Sequence, residues 1–239
     1  MRGNTEKPVV IAPAAIIERL FVHVKSSYAL KVATHKELRP EYVSEPQKTF
    51  TDNVPLEHDA HAVWVPMTPN SEFSLRKPNN ISVQAIRCYH STPTCGYVLI
   101  ETRQKLKPEY SHLLGSDIAK KRKQGVIVTQ TIRCPQLAFI CDTSVELLSD
   151  TLGMAAILAC PVVMIECTFF EKNMEIQANQ RGHLCWTHLT ELFAAYPSIM
   201  WILFHPSQRY RTDAELLQAI SGPIPENVVL WGINKNAKA

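Results

Sequence analysis

At 239 residues the chain can bury a substantial core, and its even composition favours one large α/β domain over two small ones. Hydrophobic residues at 46% and charged residues at 20% are the proportions of an ordinary soluble globular protein, and a net charge of +3 is too mild to demand or exclude nucleic acid. Seven cysteines, an odd number without CxxC pairs, argue against a disulfide framework and for a reducing compartment; Cys141, Cys160 and Cys167 sit inside apolar runs as small hydrophobes.

The N-terminus imitates a signal peptide, with Arg2 and Lys7 ahead of Val9 to Ile17. Pro13 breaks that run, and no small-residue cleavage site precedes Glu18-Arg19. The pattern predicts a buried strand, Val9 to Ala12, and then an amphipathic helix from Ala14 to about Val24. Residues 36–80 are rich in Pro, Asn, Glu and Thr; one strand, Ala62 to Val65, is assigned there, and the rest is left open. Ile81 to Cys88 alternates apolar and polar residues, as a half-buried strand does, and runs into Tyr89-His90. A turn, Ser91 to Gly96, leads to a second strand, Tyr97 to Glu101. Residues 102–134 form a polar, basic excursion with a helical centre near Ser116 to Gln124; its run Lys120-Lys121-Arg122-Lys123 suits a solvated helix face.

Leu137 to Cys141 has the short apolar pattern of a strand buried on both faces. Helical Val145 to Leu158 follows, then a buried strand, Val162 to Glu166. A helical segment covers about Met174 to Ala195, interrupted near Gly182. Ile199 to Phe204 is another apolar strand, ending at His205. Helical Asp213 to Ile220 and a last strand, Val228 to Trp231, complete the order. The longest apolar run, Leu152 to Ile165, is too short to span a bilayer and is divided by Pro161, so no membrane association is expected.

Strands alternating with helices indicate an α/β fold. Four of the strands end in, or just before, His90, Asp142, Glu166 and His205, and such ends collect at one rim of an α/β sheet. A carboxylate at the end of a buried strand is costly unless something pairs with it. Each residue has an ordinary alternative: Asp142-Thr143 suits a helix N-cap, and a histidine can serve in a core bonded to a backbone carbonyl. All four together are harder to explain that way. Two histidines and an aspartate are a donor set that zinc accepts.

The segments His90-Ser-Thr-Pro-Thr-Cys-Gly96-Tyr97, Phe139-Ile-Cys-Asp142-Thr143, Ile165-Glu166-Cys-Thr168-Phe169, Gly182-His183 and His205-Pro-Ser207-Gln-Arg209-Tyr210 occur in an order and spacing that resembles ribonuclease Z. That family comprises the tRNA 3′-processing endonucleases of the metallo-β-lactamase superfamily, and the likeness is greatest to the short eukaryotic form. Residues 103–129 are similar to the short-form insertion, and the resemblance covers about residues 7–220. It implies a metallo-β-lactamase-like αββα sandwich as a single domain over 1–239. It also implies His90, Asp142 and His205 as metal ligands, and His183 as the proton donor to the leaving oxygen with Glu166 orienting it. Ser207 and Arg209 stand where the family contacts phosphate. The implied reaction is zinc-dependent hydrolysis of precursor tRNA, with two zincs in the family, and a homodimer is expected.

Some positions depart from the family pattern: Cys141 replaces a glycine, Pro206 a bulky apolar residue, and Ile165 a histidine often found there. The larger departure is that the signature His-x-His-x-Asp-His, which supplies most of the family's metal ligands, occurs nowhere in the sequence. His58-Asp-Ala-His61 reads as a surface loop, and His188 falls on a helix. In the family the signature lies upstream of the segment resembling Met1 to Pro13. The expectation is therefore an N-terminally incomplete sandwich with Met1 internal to a longer reading frame. Zinc is expected to bind weakly or not at all, and the chain is expected to be inactive alone. The compartment stays open among nucleus, cytosol and mitochondrion. Two alternatives stand beside this reading: a non-catalytic RNA-binding or partner subunit of the same fold, and a related hydrolase of small esters.

Overall fold

The computed structural model describes residues 8–33, 62–76 and 78–234; the segment His58-Asp-Ala-His61 lies outside them. Strand β1 (Val9–Pro13) and helix α1 (Ala14–Ala33) are followed by β2 (Val63–Met67), which pairs in parallel with β1 to make a two-stranded sheet. The larger sheet holds seven strands: β3 (Glu72–Ser74), β4 (Ile81–Arg87), β5 (Cys95–Leu106), β6 (Thr129–Ile140), β7 (Val162–Glu166), β8 (Met200–Phe204) and β9 (Val228–Leu230). Its helices are α2 (Gly115–Lys123), between β5 and β6, and α3 (Thr151–Leu158), between β6 and β7. The pair α4 (Glu175–Arg181) and α5 (Trp186–Ala195) precede β8, and α6 (Asp213–Ala219) precedes β9.

Alternation along each strand sorts the side chains into layers. Trp64 and Ala12 face α1, where Ile17 and Phe21 meet them, and Phe21 sets its ring edge against Trp64 at 5.3 Å. Val65 and Met67 face the other way, onto Ala85, Phe73 and Tyr97 of the large sheet. The opposite face of the large sheet (Ile86, Val98, Ile140, Ile165, Trp201, Leu203) packs against Met154, Ile157, Leu189, Phe193 and Leu216 from α3, α5 and α6. The order of layers is thus helix, small sheet, large sheet, helices, the αββα arrangement expected from the sequence. Beyond the small sheet's reach, Leu137, Phe139, Met164, Ile202 and Phe204 are only half-buried on the same face, with Phe139 and Phe204 stacked at 5.1 Å.

The seven strands lie in the sheet in their sequence order. β4, β5 and β6 alternate in direction, whereas β6 to β9 are parallel. Consequently β4, β6, β7 and β8 all point the same way, and the residues after their last pairs emerge on one rim. Two backbone links stitch that rim: Ser144 N donates to Tyr89 O (2.8 Å), and Cys167 N donates to Phe204 O (2.9 Å).

Several elements differ from the sequence expectation. β6 begins at Thr129, not Leu137, because a register shift opposite Leu99/Ile100 lets Pro135, which has no N–H to give, stay within the ladder. The expected helix Val145 to Leu158 is two pieces: a 3-10 turn over Val145–Ser149, then α3, which starts afresh because Asp150 accepts from Gly153 N at 3.0 Å. α1 runs to Ala33, well past Val24. The short β3 was not anticipated.

Candidate metal centre at the strand-end rim

Each rim residue follows a strand whose core face is apolar and tightly packed, so its backbone is placed by the sheet. Asp142 follows β6 but does not cap the turn after it: Ser144 occupies the N-cap there, and the Asp142 Oδ1 instead lies 3.4 Å from His205 Nδ1. His205 follows β8 with φ +65, in the left-handed region that non-glycine residues seldom enter. Its Nδ1 also meets Thr168 Oγ1 at 3.2 Å. His183 comes from the loop between α4 and α5. Gly182, at φ +70, ends α4 and turns the chain there.

The buried carboxylate of Glu166 organises the rim. Its Oε1 accepts from Thr143 N (3.1 Å), Leu184 N (3.2 Å) and His183 Nδ1 (2.9 Å), and its Oε2 accepts from Thr168 Oγ1 (2.9 Å). Four donors offset the cost of burying the charge. The hydrogen bond His183 donates to Glu166 holds it above its ordinary value of 6.5, against burial, with the charges of Glu166 and Asp142 adding to the effect. His90 Nδ1 donates to Gly182 O at 3.0 Å, since a carbonyl can only accept. A side chain at Gly182 would come within 3.1 Å of that same nitrogen, so glycine is required there on two counts.

The imidazole of His183 stands between the other two: its ring centre is 5.0 Å from that of His90 and 5.4 Å from that of His205. Donor atoms of His90, Asp142 and His183 lie within 4.8 Å of one another, as do those of Glu166, His183 and His205. The four strand-end residues read from the sequence therefore meet in one place, with His183 at its centre.

The donor set fits a borderline divalent cation such as zinc. His90 has Nδ1 committed as a donor to Gly182 O, so that its Nε2 keeps a lone pair for a metal, whereas His183 gives its Nδ1–H to Glu166. Cys141, where the family resembled above carries glycine, is no competing thiolate: burial, then the Asp142 charge, push its thiol up to about 11. His188 is the third residue of α5 and accepts from Cys185 N at 3.3 Å; burial lowers it from 6.5.

The two residues assigned to phosphate, Ser207 and Arg209, lie in the loop that follows His205. Ser207 N donates to Thr168 O (2.9 Å), while Arg209 donates to Gln177 Oε1 (2.9 Å), lies 4.0 Å from Glu171 and covers the Phe169 ring at 5.0 Å. Sequence reasoning missed Thr168 and Thr143, whose Oγ1 accepts from Tyr89 N at 2.9 Å and fixes the residue before His90. Threonine is too common for its presence to signal such a role. The carbonyl of Gly182 was missed as well, although the glycine ahead of His183 was visible.

No family model matches the chain. It is 32% identical over 163 residues to the chloroplastic tRNase Z TRZ2 of Arabidopsis thaliana, an alignment covering 65% of this chain and 43% of that protein. It is 28% identical over 219 residues to tRNase Z TRZ1 of the same plant, covering 91% and 68%. Against the nuclear ribonuclease Z of Triticum aestivum the figures are 38% over 68 residues, 28% and 38%. The chain thus spans less than half the length of the first of these relatives. Among solved structures, the short form of human tRNase Z superposes loosely at 15% identity and a TM-score of 0.43, covering 87% of this chain and 64% of that one. The metallo-β-lactamase fold protein YhfI of Bacillus subtilis gives 12% identity and a TM-score of 0.36, covering 70% and 54%.

Proposed function

We propose that this chain, a relative of the tRNase Z proteins, is one partial metallo-β-lactamase-like domain of a zinc-dependent endoribonuclease acting on precursor tRNA, and that it does not cleave by itself. The observation that carries the reading is the Glu166–His183 pair standing beside His90, Asp142 and His205 on one rim. Metal bound there would be held by His90, Asp142 and His205, and would neutralise charge developing on phosphate oxygens. His183, whose protonated form the hydrogen bond to Glu166 favours, would supply the proton to the leaving oxygen. Arg209 exchanges Gln177 and Glu171 for phosphate, with Ser207 beside it. Three protein donors are too few for two tightly held zincs, which is the physical ground for expecting no cleavage.

The half-buried apolar stretch from Leu137 to Phe204 supports self-association, and we assign a homodimer on that ground. Seven free cysteines support a reducing compartment. No helix among the described residues is long and apolar enough to cross a membrane. A non-catalytic RNA-binding role is favoured by one further observation: α2 ends in the charges of Lys120 to Lys123, with Lys121 resting 5.5 Å over the Tyr110 ring.

The test is to incubate the chain with 3′-extended precursor tRNA, mature tRNA and a small phosphodiester. The precursor should bind, with affinity falling steeply as salt rises, and no product should form. Adding the upstream His-x-His-x-Asp-His segment of a plant relative should then restore cleavage at the 3′ end. Binding without cleavage even then favours the RNA-binding role. Turnover of the small ester without binding of tRNA overturns the proposal.

A further inference from the structure

We propose that Cys95 and Cys141 are a redox modification site, closing into a reversible cross-strand disulfide when a small disulfide such as oxidised glutathione oxidises them. Cys95 opens β5, and Cys141 is the residue after β6. The two strands are antiparallel with Tyr97 opposite Phe139, so two residues further on Cys95 comes opposite Cys141. The strands are still in contact between those positions: a Cβ built on Gly96 would lie 3.1 Å from Phe139 O and 3.3 Å from Ile140 Cα. Alternation places Cys95 on the face of Tyr97 and Cys141 on the face of Phe139, which is the same side of the sheet. Residues directly opposite in an antiparallel pair have Cβ atoms about 4.5–5.5 Å apart, and a disulfide needs roughly 3.5–4.5 Å, so a small shift of one residue suffices.

Cys141 is the residue free to make that shift. The β5–β6 ladder ends at Tyr97 and Phe139, and the β6–β7 ladder ends at Ile140 and Ile165, so Cys141 stands beyond both. Cys95 is still held, opposite Arg87 in the β4–β5 ladder. The other cysteines are set aside by position. Cys88 follows β4 on the opposite face, in the core with Ile86 and Ile140, and its Sγ lies 4.0 Å from the Cys141 carbonyl oxygen. Cys160, Cys167 and Cys185 are buried, and Cys134 lies opposite Glu101.

Cys141 is half-buried and Cys95 buried, so Cys141 meets the oxidant first. Its thiolate attacks one sulfur of oxidised glutathione, the S–S bond of the reagent breaks, and one glutathione leaves as thiolate. The Cys95 thiolate then attacks the Cys141 sulfur of the mixed disulfide, forming the protein S–S bond and expelling the second glutathione. Two electrons pass from the protein thiols to the reagent, and the two protons they lose are taken up by the departing thiolates. Burial holds both protein thiols above their ordinary range, so the exchange is slow at neutral pH. In a reducing compartment the pair stands as two thiols and closes under sustained oxidation. Closure draws Cys141 toward β5 and away from β7, and with it the next residue, Asp142, whose carboxylate faces His205 at 3.4 Å.

The experiment is to equilibrate the folded full chain with graded ratios of oxidised to reduced glutathione, alkylate the remaining thiols and map the peptides by mass spectrometry. At high ratios five of the seven cysteines should be alkylated and one cross-linked peptide should join Cys95 to Cys141, lost again on adding dithiothreitol. Cys95→Ser should stop the reaction at a glutathione adduct on Cys141, and Cys160→Ser should leave the cross-link unchanged. The imidazole NMR signals of His205 should move on oxidation of the native chain, while those of the exposed His112 should not. Circular dichroism establishes that each variant is folded; should Cys95→Ser unfold, Cys141→Ser, which should form no cross-link, takes its place. Seven alkylated thiols at every ratio, a cross-link through Cys88, or a bond between two chains would each overturn the assignment, and unmoved His205 signals in the cross-linked chain would overturn its coupling to Asp142.

Discussion

At the scale of single residues, His205 occupies a backbone conformation that its side chain does not favour. Its φ of +65 brings Cβ close to its own carbonyl, a strain of about 1 kcal/mol that glycine would not feel. Replacing His205 by alanine keeps the strain and deletes the contacts to Asp142 and Thr168, whereas glycine deletes both. His205→Gly should therefore be more stable than His205→Ala by about 1 kcal/mol in urea unfolding. Equal midpoints would show the conformation to be unstrained. The identity of the rim residues was legible in the sequence because a charged or imidazole side chain ending an apolar strand breaks the pattern. The left-handed turn at His205 was not legible, since the usual marks of such a turn are glycine and asparagine. Nor was the central position of His183, which depends on how the turn after α4 meets His90 through Gly182.

At the scale of elements, the lesson of α3 is that apolar content does not reveal where a helix restarts. Val145 to Leu158 is mostly apolar, yet Asp150 stops one turn and caps the next, and it also accepts from the Tyr89 hydroxyl at 3.3 Å. That second bond ties the cap to the residue next to His90. Asp150→Ala should cost about 1 kcal/mol, and Asp150→Asn, which keeps an oxygen for Gly153 N, should cost much less. Thermal melts of the two variants separate them, and equal losses would remove the capping argument. Proline in β6 misled in the same way. A proline reads as the start of a strand, but the β5–β6 ladder passes Pro135 by a shift of register and continues to Thr129. The short parallel strands β7, β8 and β9 were legible almost to the residue, because their continuous apolar runs leave little room for polar exceptions.

At the scale of the whole molecule, the small sheet covers only one end of the large one. Val65 and Met67 close over Ala85 and Tyr97, while Phe139, Met164, Ile202 and Phe204 stay half-buried. Apolar area of this kind associates with other apolar surface at about 25 cal/mol per Å² removed from water. Sedimentation velocity across the micromolar range should show reversible association that Ile202→Lys suppresses without loss of secondary structure. A native chain that stays monomeric throughout would remove the basis for the homodimer. The layer order could be inferred from the sequence only through the resemblance, because periodicity shows which residues are buried and not what lies above them.

The strand order has a consequence for how the chain comes apart. Because β4, β6, β7 and β8 run the same way, groups far apart in the sequence meet at one edge. An ion held as proposed by residues 90, 142 and 205 would act as a clasp on two long spans of chain at once. Fraying of any one strand would loosen that grip, so release of the ion would report on the integrity of the whole sheet and not on its edge alone.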